Sequence, residues 1–202
     1  MESNTTDTNQ NLSQLQLDLI KQRKSTVAFS DQEVSKAQLE QLFEATRWAA
    51  SCFNEQPWRF IVAQKSQKQL FGKVLNGINP HNQIWAQNAP VLMLTFAKKT
   101  FERNANPNIH YMHDLGLAVG NMSAQATAMG LYLHQMAGIL RENILSDFDI
   151  PEDYEVVSAI ALGYKLDFED VPEDLKARES KERTRKPLGE FVFDQDWGRS
   201  SF

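Results

Sequence analysis

Two basic clusters bracket this chain of 202 residues. Arg23-Lys24-Ser25 lies near the amino end and Arg183-Thr184-Arg185-Lys186 near the carboxyl end. Each joins cations to a hydroxyl, the combination that holds a phosphate through charge-assisted hydrogen bonds. Each by itself reads more readily as a solvated surface run. What favours the phosphate is the polar string between them, Ser51-Cys52-Phe53-Asn54-Glu55-Gln56-Pro57-Trp58. Its small and amide side chains, set just before an aromatic, could hydrogen-bond a planar polar heterocycle. His110 and His113, three apart on an expected helix, could share a ligand face. Without a second histidine or glutamate motif at matching spacing, hydrogen-bonded structural histidines are the better reading, and no metal site is expected. Cys52 has no histidine near it in sequence and reads as a small core residue rather than a nucleophile. The phosphate loop G-x-x-x-x-G-K-[ST], the dinucleotide fingerprint G-x-G-x-x-G and the nucleophile turn G-x-S-x-G are all missing.

These groups need elements to position them. Ser35 with Gln38 has capping-box form, and Leu39, Leu42, Phe43 and Ala49/Ala50 keep helical spacing behind it, so a helix is expected over 36–50. A shorter helix is expected from Leu15 to Arg23, and others over 68–75 and 140–147. Strands are expected at 60–63, 90–96, 131–133 and 155–162. The longest periodic stretch, from about Ile109 to Met129, is apolar or small almost all round, which suits the centre of a domain or the space between subunits. Gly130 is well placed to stop it. After Gly163 the chain is charged and ends in an aromatic cluster (Phe191, Phe193, Trp197) that cannot fold alone. Residues 1–14 read as a mobile segment, 15–190 as one domain with a C-terminal extension, and 191–202 as a tail.

Composition narrows the class. Hydrophobic residues make up 42% and charged residues 23%, ordinary values for a globular protein. The longest apolar run, Ala89 to Ala97, is too short to span a bilayer, which takes about 20 residues. No secretory signal opens the chain, and a lone cysteine suits a reducing compartment, so a cytoplasmic protein is expected. A net charge of −5 gives no reason to expect nucleic acid as a partner.

In order along the chain, Arg23-Lys-Ser25-Thr-Val-Ala-Phe29, Ala49-Ala-Ser51-Cys-Phe-Asn54-Glu-Gln56-Pro57-Trp58-Arg-Phe60, Asn88-Ala-Pro90, Asp114-Leu-Gly116-Leu-Ala-Val-Gly-Asn121, Met129-Gly130-Leu131, Ile160-Ala-Leu-Gly163-Tyr and Arg183-Thr-Arg185-Lys-Pro187-Leu188 resemble the FMN-dependent nitroreductase family. The likeness implies an α+β fold with a mixed, mainly antiparallel sheet flanked by helices, in an intertwined homodimer. It implies FMN as cofactor, with Arg23, Ser25, Arg183 and Arg185 on its phosphate and Lys24 along the same end. By the same likeness Ala50, Ser51, Cys52 and Asn54 would approach from the partner subunit, and Asn82 would meet the polar edge of the ring. The turn at Ala137 and Gly138 would pass beside the central ring, its backbone amide donating to N5. NADH or NADPH would deliver hydride, and a nitroaromatic, quinone or other electron-poor small molecule would then take it in a ping-pong sequence. No side chain is assigned a catalytic role, since a flavin carries the redox chemistry itself.

Two positions depart from many relatives. Val27 and Trp85 stand where a basic residue is common near the pyrimidine end of the flavin, which implies a lowered flavin potential. Ala137 replaces an acidic residue found in some relatives. The alternatives are an oxidase or dehalogenase on the same fold, and a flavin-binding regulator without turnover.

Overall fold

A computed structural model describes residues 3–202, with side chains from residue 11 onward. The core is one four-stranded sheet with helices on both faces. Its strands are β1 (Trp58–Gln64), β2 (Val91–Lys98), β3 (Tyr132–Met136) and β4 (Tyr154–Gly163), in the spatial order β1-β2-β4-β3. Every pair is antiparallel, with Phe60 opposite Thr95, Leu94 opposite Ala159 and Gln135 opposite Ile160. Among the described residues the four strands thus pair antiparallel, in keeping with the mainly antiparallel sheet flanked by helices that the family likeness implied.

The continuous apolar run of β2 has a simple cause. Successive side chains of a strand point to opposite faces, and both faces here are covered. Leu92, Leu94 and Phe96 join one core with Phe71, Val74, Ile78 and Trp85. These come from α3 (Lys68–Asn76), α4 (Pro80–Ala86) and the turn between them. Val91, Met93 and Ala97 join a second core with Leu42 of α2 (Lys36–Arg47) and with Leu115, Ala118, Val119 and Met122 of α5 (Tyr111–Ala128). A bulge between Thr95 and Phe96 shifts the pairing with β4, and the Thr95 hydroxyl takes up the Ser158 amide there at 3.0 Å.

The capping box forms as expected. The Ser35 Oγ accepts from the Gln38 amide at 3.2 Å, and the Gln38 Oε1 accepts from the Ser35 amide at 3.0 Å. Gly130 closes α5 with a φ of +72°, a left-handed conformation that glycine adopts without a Cβ clash. Two expectations need correction. Helix α1 spans Ser3–Gln22 and so starts well before Leu15, where a helix was expected. Of its large apolar side chains, Leu12, Leu15, Leu17 and Ile20 are exposed and Leu19 is half-buried, so it lacks the fully buried stripe that marks a helix in sequence. Helix α4 was not expected, although Asn79-Pro80 is a helix-start signal. The Asn79 side chain accepts from the Asn82 amide at 2.9 Å with proline in the first turn. Helix α5 buries Leu115, Ala118, Val119 and Met122 and exposes Gly116, Leu117, Gly120, Asn121 and Ala124, so its outward face is small or apolar except at Asn121.

The chain after β4 contributes α7 (Glu173–Glu179) and an exposed segment from 180 onward, with α6 (Arg141–Asp147) lying earlier, between β3 and β4. No described helix is long and apolar enough to cross a membrane.

Candidate functional site

The two basic clusters meet. Arg183 donates through Nη1 to the main-chain oxygen of Arg23, across 160 residues of sequence. The Arg23 guanidinium donates to the Ser25 Oγ at 3.2 Å. Burial, then repulsion from Arg185 and Arg183, hold the Arg23 guanidinium below its ordinary pKa. Among the described residues, none of these three arginines has a carboxylate partner within ion-pair distance. Mutually repelling cations beside a hydroxyl make a cradle for a multiply charged anion. A cleft of about 230 Å³ opens beside Arg23 and Ser25, with Gly120, Ser123, Leu133 and Gln135 also in its lining.

Lys24 does not belong to this cradle. Its Nζ pairs with the Glu179 Oε1 at 2.8 Å and also donates to the Glu179 main-chain oxygen. The Glu179 carboxylate, which sequence reading passed over, is buried at 2% exposure. Its Oε2 accepts from the Thr26 hydroxyl at 3.0 Å and the Val27 amide at 3.1 Å. Burial alone would raise its pKa. The hydrogen bonds from Lys24, Val27 and Thr26, together with the Lys24 charge, more than offset this and hold the carboxyl below its ordinary value. Nothing in the charged stretch after Gly163 marked Glu179 out from its acidic neighbours, since burial arises only once α7 docks.

The Ala50–Asn54 segment lies elsewhere in the protomer. Cys52, half-buried, donates its amide to the Asp114 Oδ2 at 3.0 Å, and Asp114 is itself buried in the first turn of α5. The Ser51 Oγ accepts from the Gln56 amide at 3.0 Å. Phe53, Asn54 and Gln56 have φ values of 53°, 58° and 49°. Left-handed backbone in side-chain-bearing residues costs about 1–2 kcal/mol each, least for asparagine, and is a feature of ligand clamps. No hydrogen bond or ion pair among the described residues joins this loop to the arginines. His110 precedes α5 rather than sharing it with His113, and the His113 Nδ1 faces the Asp114 Oδ1 at 3.3 Å.

Asn82, Ala137 and Gly138 do come together. The Asn79 amide donates to the Gly138 oxygen at 2.9 Å, and a Cβ on Gly138 would stand 2.1 Å from the Asn79 Nδ2 and 3.1 Å from the Asn82 Nδ2. Glycine at 138 is thus required by the asparagine that caps α4. The reason read from the likeness was close approach to a flavin.

Trp85 is fully buried. It packs on His134 with ring centroids 4.5 Å apart and on Phe29 at 6.3 Å, with the Arg178 guanidinium 5.7 Å from its ring. Val27 is buried as well. Burial also holds the His134 pKa below its ordinary value, and the Thr26 carbonyl lies 2.8 Å from its Nδ1.

Comparison with known proteins bears on the fold and the family. The nitroreductase family profile matches residues 20–164. An Archaeoglobus fulgidus protein provisionally named NADH dehydrogenase/NAD(P)H nitroreductase is 26% identical over 158 residues, which are 76% of this chain and 87% of the relative. The Bacillus subtilis FMN reductase (NAD(P)H) is 25% identical, over 71% of this chain and 63% of its own. A crystal structure described as an oxidoreductase containing FMN superposes with a TM-score of 0.82 at 30% identity, covering 90% of this chain and 92% of that one. A nitroreductase family protein of Clostridium difficile 630 superposes with a TM-score of 0.68 at 26% identity, covering 88% and 96%. With the fold and a family match across most of its length in agreement, the chain belongs to the nitroreductase family of oxidoreductases.

Proposed function

We propose that this protein is an FMN-dependent oxidoreductase that takes hydride from NADH or NADPH and delivers it to an electron-poor small molecule such as a nitroaromatic or quinone. The observation that carries this reading is the convergence of Arg23, Arg183 and Arg185 with the Ser25 hydroxyl beside a cleft. That donor set fits the phosphate end of FMN and relieves the repulsion among the cations. Bound there, the flavin would supply a ring that accepts and returns hydride. The protein's share is to hold and orient. Arg23, Arg183, Arg185 and Ser25 fix the phosphate, and the Ala137–Gly138 backbone and Asn82 border the ring. Donor and acceptor would use one cleft in turn, a ping-pong sequence that needs no nucleophilic side chain.

The same reading includes a homodimer. A cleft of about 230 Å³ is small for a whole flavin nucleotide, since ligand pockets usually hold about 300 Å³ or more. Ile20, Gly120 and Ala124 at its edge are joined by further exposed apolar or small residues, Gly116 and Leu117 on α5 and Leu15 on α1, and the final segment exposes Leu188, Phe191, Trp197 and Phe202. Apolar surface of this extent suits a second copy of the chain, whose Ser51–Asn54 loop would complete the site. The lone thiol of Cys52 fits the reducing cytoplasm.

The test is a visible absorption spectrum after loading with excess FMN and desalting, followed anaerobically by NADH and then NADPH. Retained flavin bands that bleach with one nucleotide are expected. Bands that persist with both would refute the reductase, and loss of all flavin would refute the cradle. Sedimentation equilibrium should give twice the mass of 23.1 kDa.

A further inference from the structure

Three guanidinium groups repel one another, and two of them ride on a segment, 180–190, that buries almost nothing. Something else must hold them against Arg23. A deeply buried contact between that part of the chain and the Arg23–Val27 stretch is made by the Glu179 side chain, 1% exposed, at the end of α7. It meets that stretch at three residues, Lys24, Thr26 and Val27. Lys24 Nζ stands 2.8 Å from Oε1, while the Thr26 hydroxyl and Val27 amide donate to Oε2 at 3.0 and 3.1 Å. Lys165 Nζ, at 3.7 Å, adds a second cation from the residues just after β4. Lys24 returns a further hydrogen bond to the Glu179 main-chain oxygen, and four residues later Arg183 bonds the Arg23 main chain.

We propose that Glu179 is the positioning residue of the phosphate cradle. Its carboxylate clamps together the two chain segments that carry the cradle's cations. It also withdraws Lys24, leaving selection for a phosphomonoester end to Arg23, Arg183, Arg185 and Ser25. This rests on the FMN reading above. A residue that acts this way governs binding of the phosphate and not of the flavin ring, which separates it from a residue that merely stabilises the fold.

The test uses the full chain freed of flavin, titrated with FMN and with riboflavin, which lacks the phosphate, following quenching of flavin fluorescence. The parent protein is expected to bind FMN at least tenfold more tightly than riboflavin. Glu179→Gln should lower FMN affinity about tenfold and leave riboflavin affinity within twofold. Equal losses for both ligands would overturn the positioning role, and so would unchanged FMN affinity. If Glu179→Gln does not fold, Glu179→Asp keeps the charge but shortens its reach, and it should lose about threefold for FMN alone. No loss, or a parallel loss for riboflavin, would again overturn the proposal. A parent protein that does not distinguish FMN from riboflavin would instead remove the cofactor reading on which the proposal depends.

Discussion

The two ends of helix α5 are built on opposite principles. Asp114, in the first turn, holds the Cys52 amide, while Ser123, well down the helix, borders the cleft beside Arg23. At about 1.5 Å per residue the two are roughly 13 Å apart along the axis. The Ser51–Gln56 end is local. Six consecutive residues fold on themselves through left-handed backbone at Phe53, Asn54 and Gln56, and one buried carboxylate fastens them to the scaffold. The arginine end is global, made by residues 160 apart that share a main-chain contact and are drawn together by a second buried carboxylate. Each end thus relies on one buried acid. In the loop the acid holds backbone shape, and in the cradle it brings together charges that would otherwise separate.

The strongest way to break the comparison is to remove the cradle's charges. Arg23→Ala with Arg185→Ala should weaken FMN binding by about 3 kcal/mol or more, since two charge-assisted contacts of roughly 1.5–3 kcal/mol each are lost. At about 1.4 kcal/mol per decade, that is on the order of a hundredfold or greater in a calorimetric titration. An unchanged constant would return both clusters to the status of surface runs. At the other end, Asp114→Ala leaves the Cys52 amide without its acceptor. A loss of about 1–3 kcal/mol is expected in denaturant unfolding. Full stability in that variant would mean that the loop holds its own shape.

Gly138→Ala probes the ground between the two ends. The added methyl would displace the Asn79 side chain, which cannot move without releasing the Asn82 amide that it caps. The expected cost is about 1–2 kcal/mol, the usual value of an N-cap or of mild overpacking. In Asn79→Ala, where cap and clash are both gone, the same glycine substitution should cost less; equal costs in the two backgrounds would rule the clash out.

The smallest expected effect is one of pH. The Glu179 carboxyl titrates below its ordinary value of 4.5 in the folded protein. Its contribution is therefore complete above that value and is lost as the pH falls through the lower, folded pKa. Unfolding of Glu179→Gln, followed from pH 6 downward, should show a shallower acid slope than the parent. Identical slopes would indicate that the carboxylate gains nothing from Lys24, Thr26 and Val27.

How much of this could be read from the residues differs by element. The capping box at Ser35, the strand from Val91 and the long helix closed by Gly130 were legible, because each is decided within a few residues by hydrogen-bond inventory or periodicity. Helix α4 was written in Asn79-Pro80 but has too short an apolar pattern to stand out. The start of α1 was not legible, because polar residues can be helical without burying a stripe. Arg23, Ser25 and Arg183, singled out in the sequence, are brought together, with Arg185 close enough for its charge to act on Arg23, and Asn82 lies beside Gly138. Lys24, expected along the same end of the cofactor, pairs with Glu179. Trp85, for which a place near the pocket mouth and a place in the core were both open, lies in the core.

By itself the sequence determined what depends on neighbours along the chain: where helices start and stop, which strand is buried on both faces, and which residues carry charge and hydroxyl groups for a phosphate. Tertiary structure alone decided partnership. Whether a cation faces a ligand or a buried carboxylate, and whether a glycine is free for a cofactor or filled by an asparagine, depends on groups dozens to more than a hundred residues away. Lys24 and Arg23 are adjacent in the chain and similar in charge, yet one pairs with Glu179 and the other does not pair with any described acid. The difference arises because burial makes an unpaired carboxylate so costly that the fold must supply it with a cation, and docking of α7 places Lys24 there.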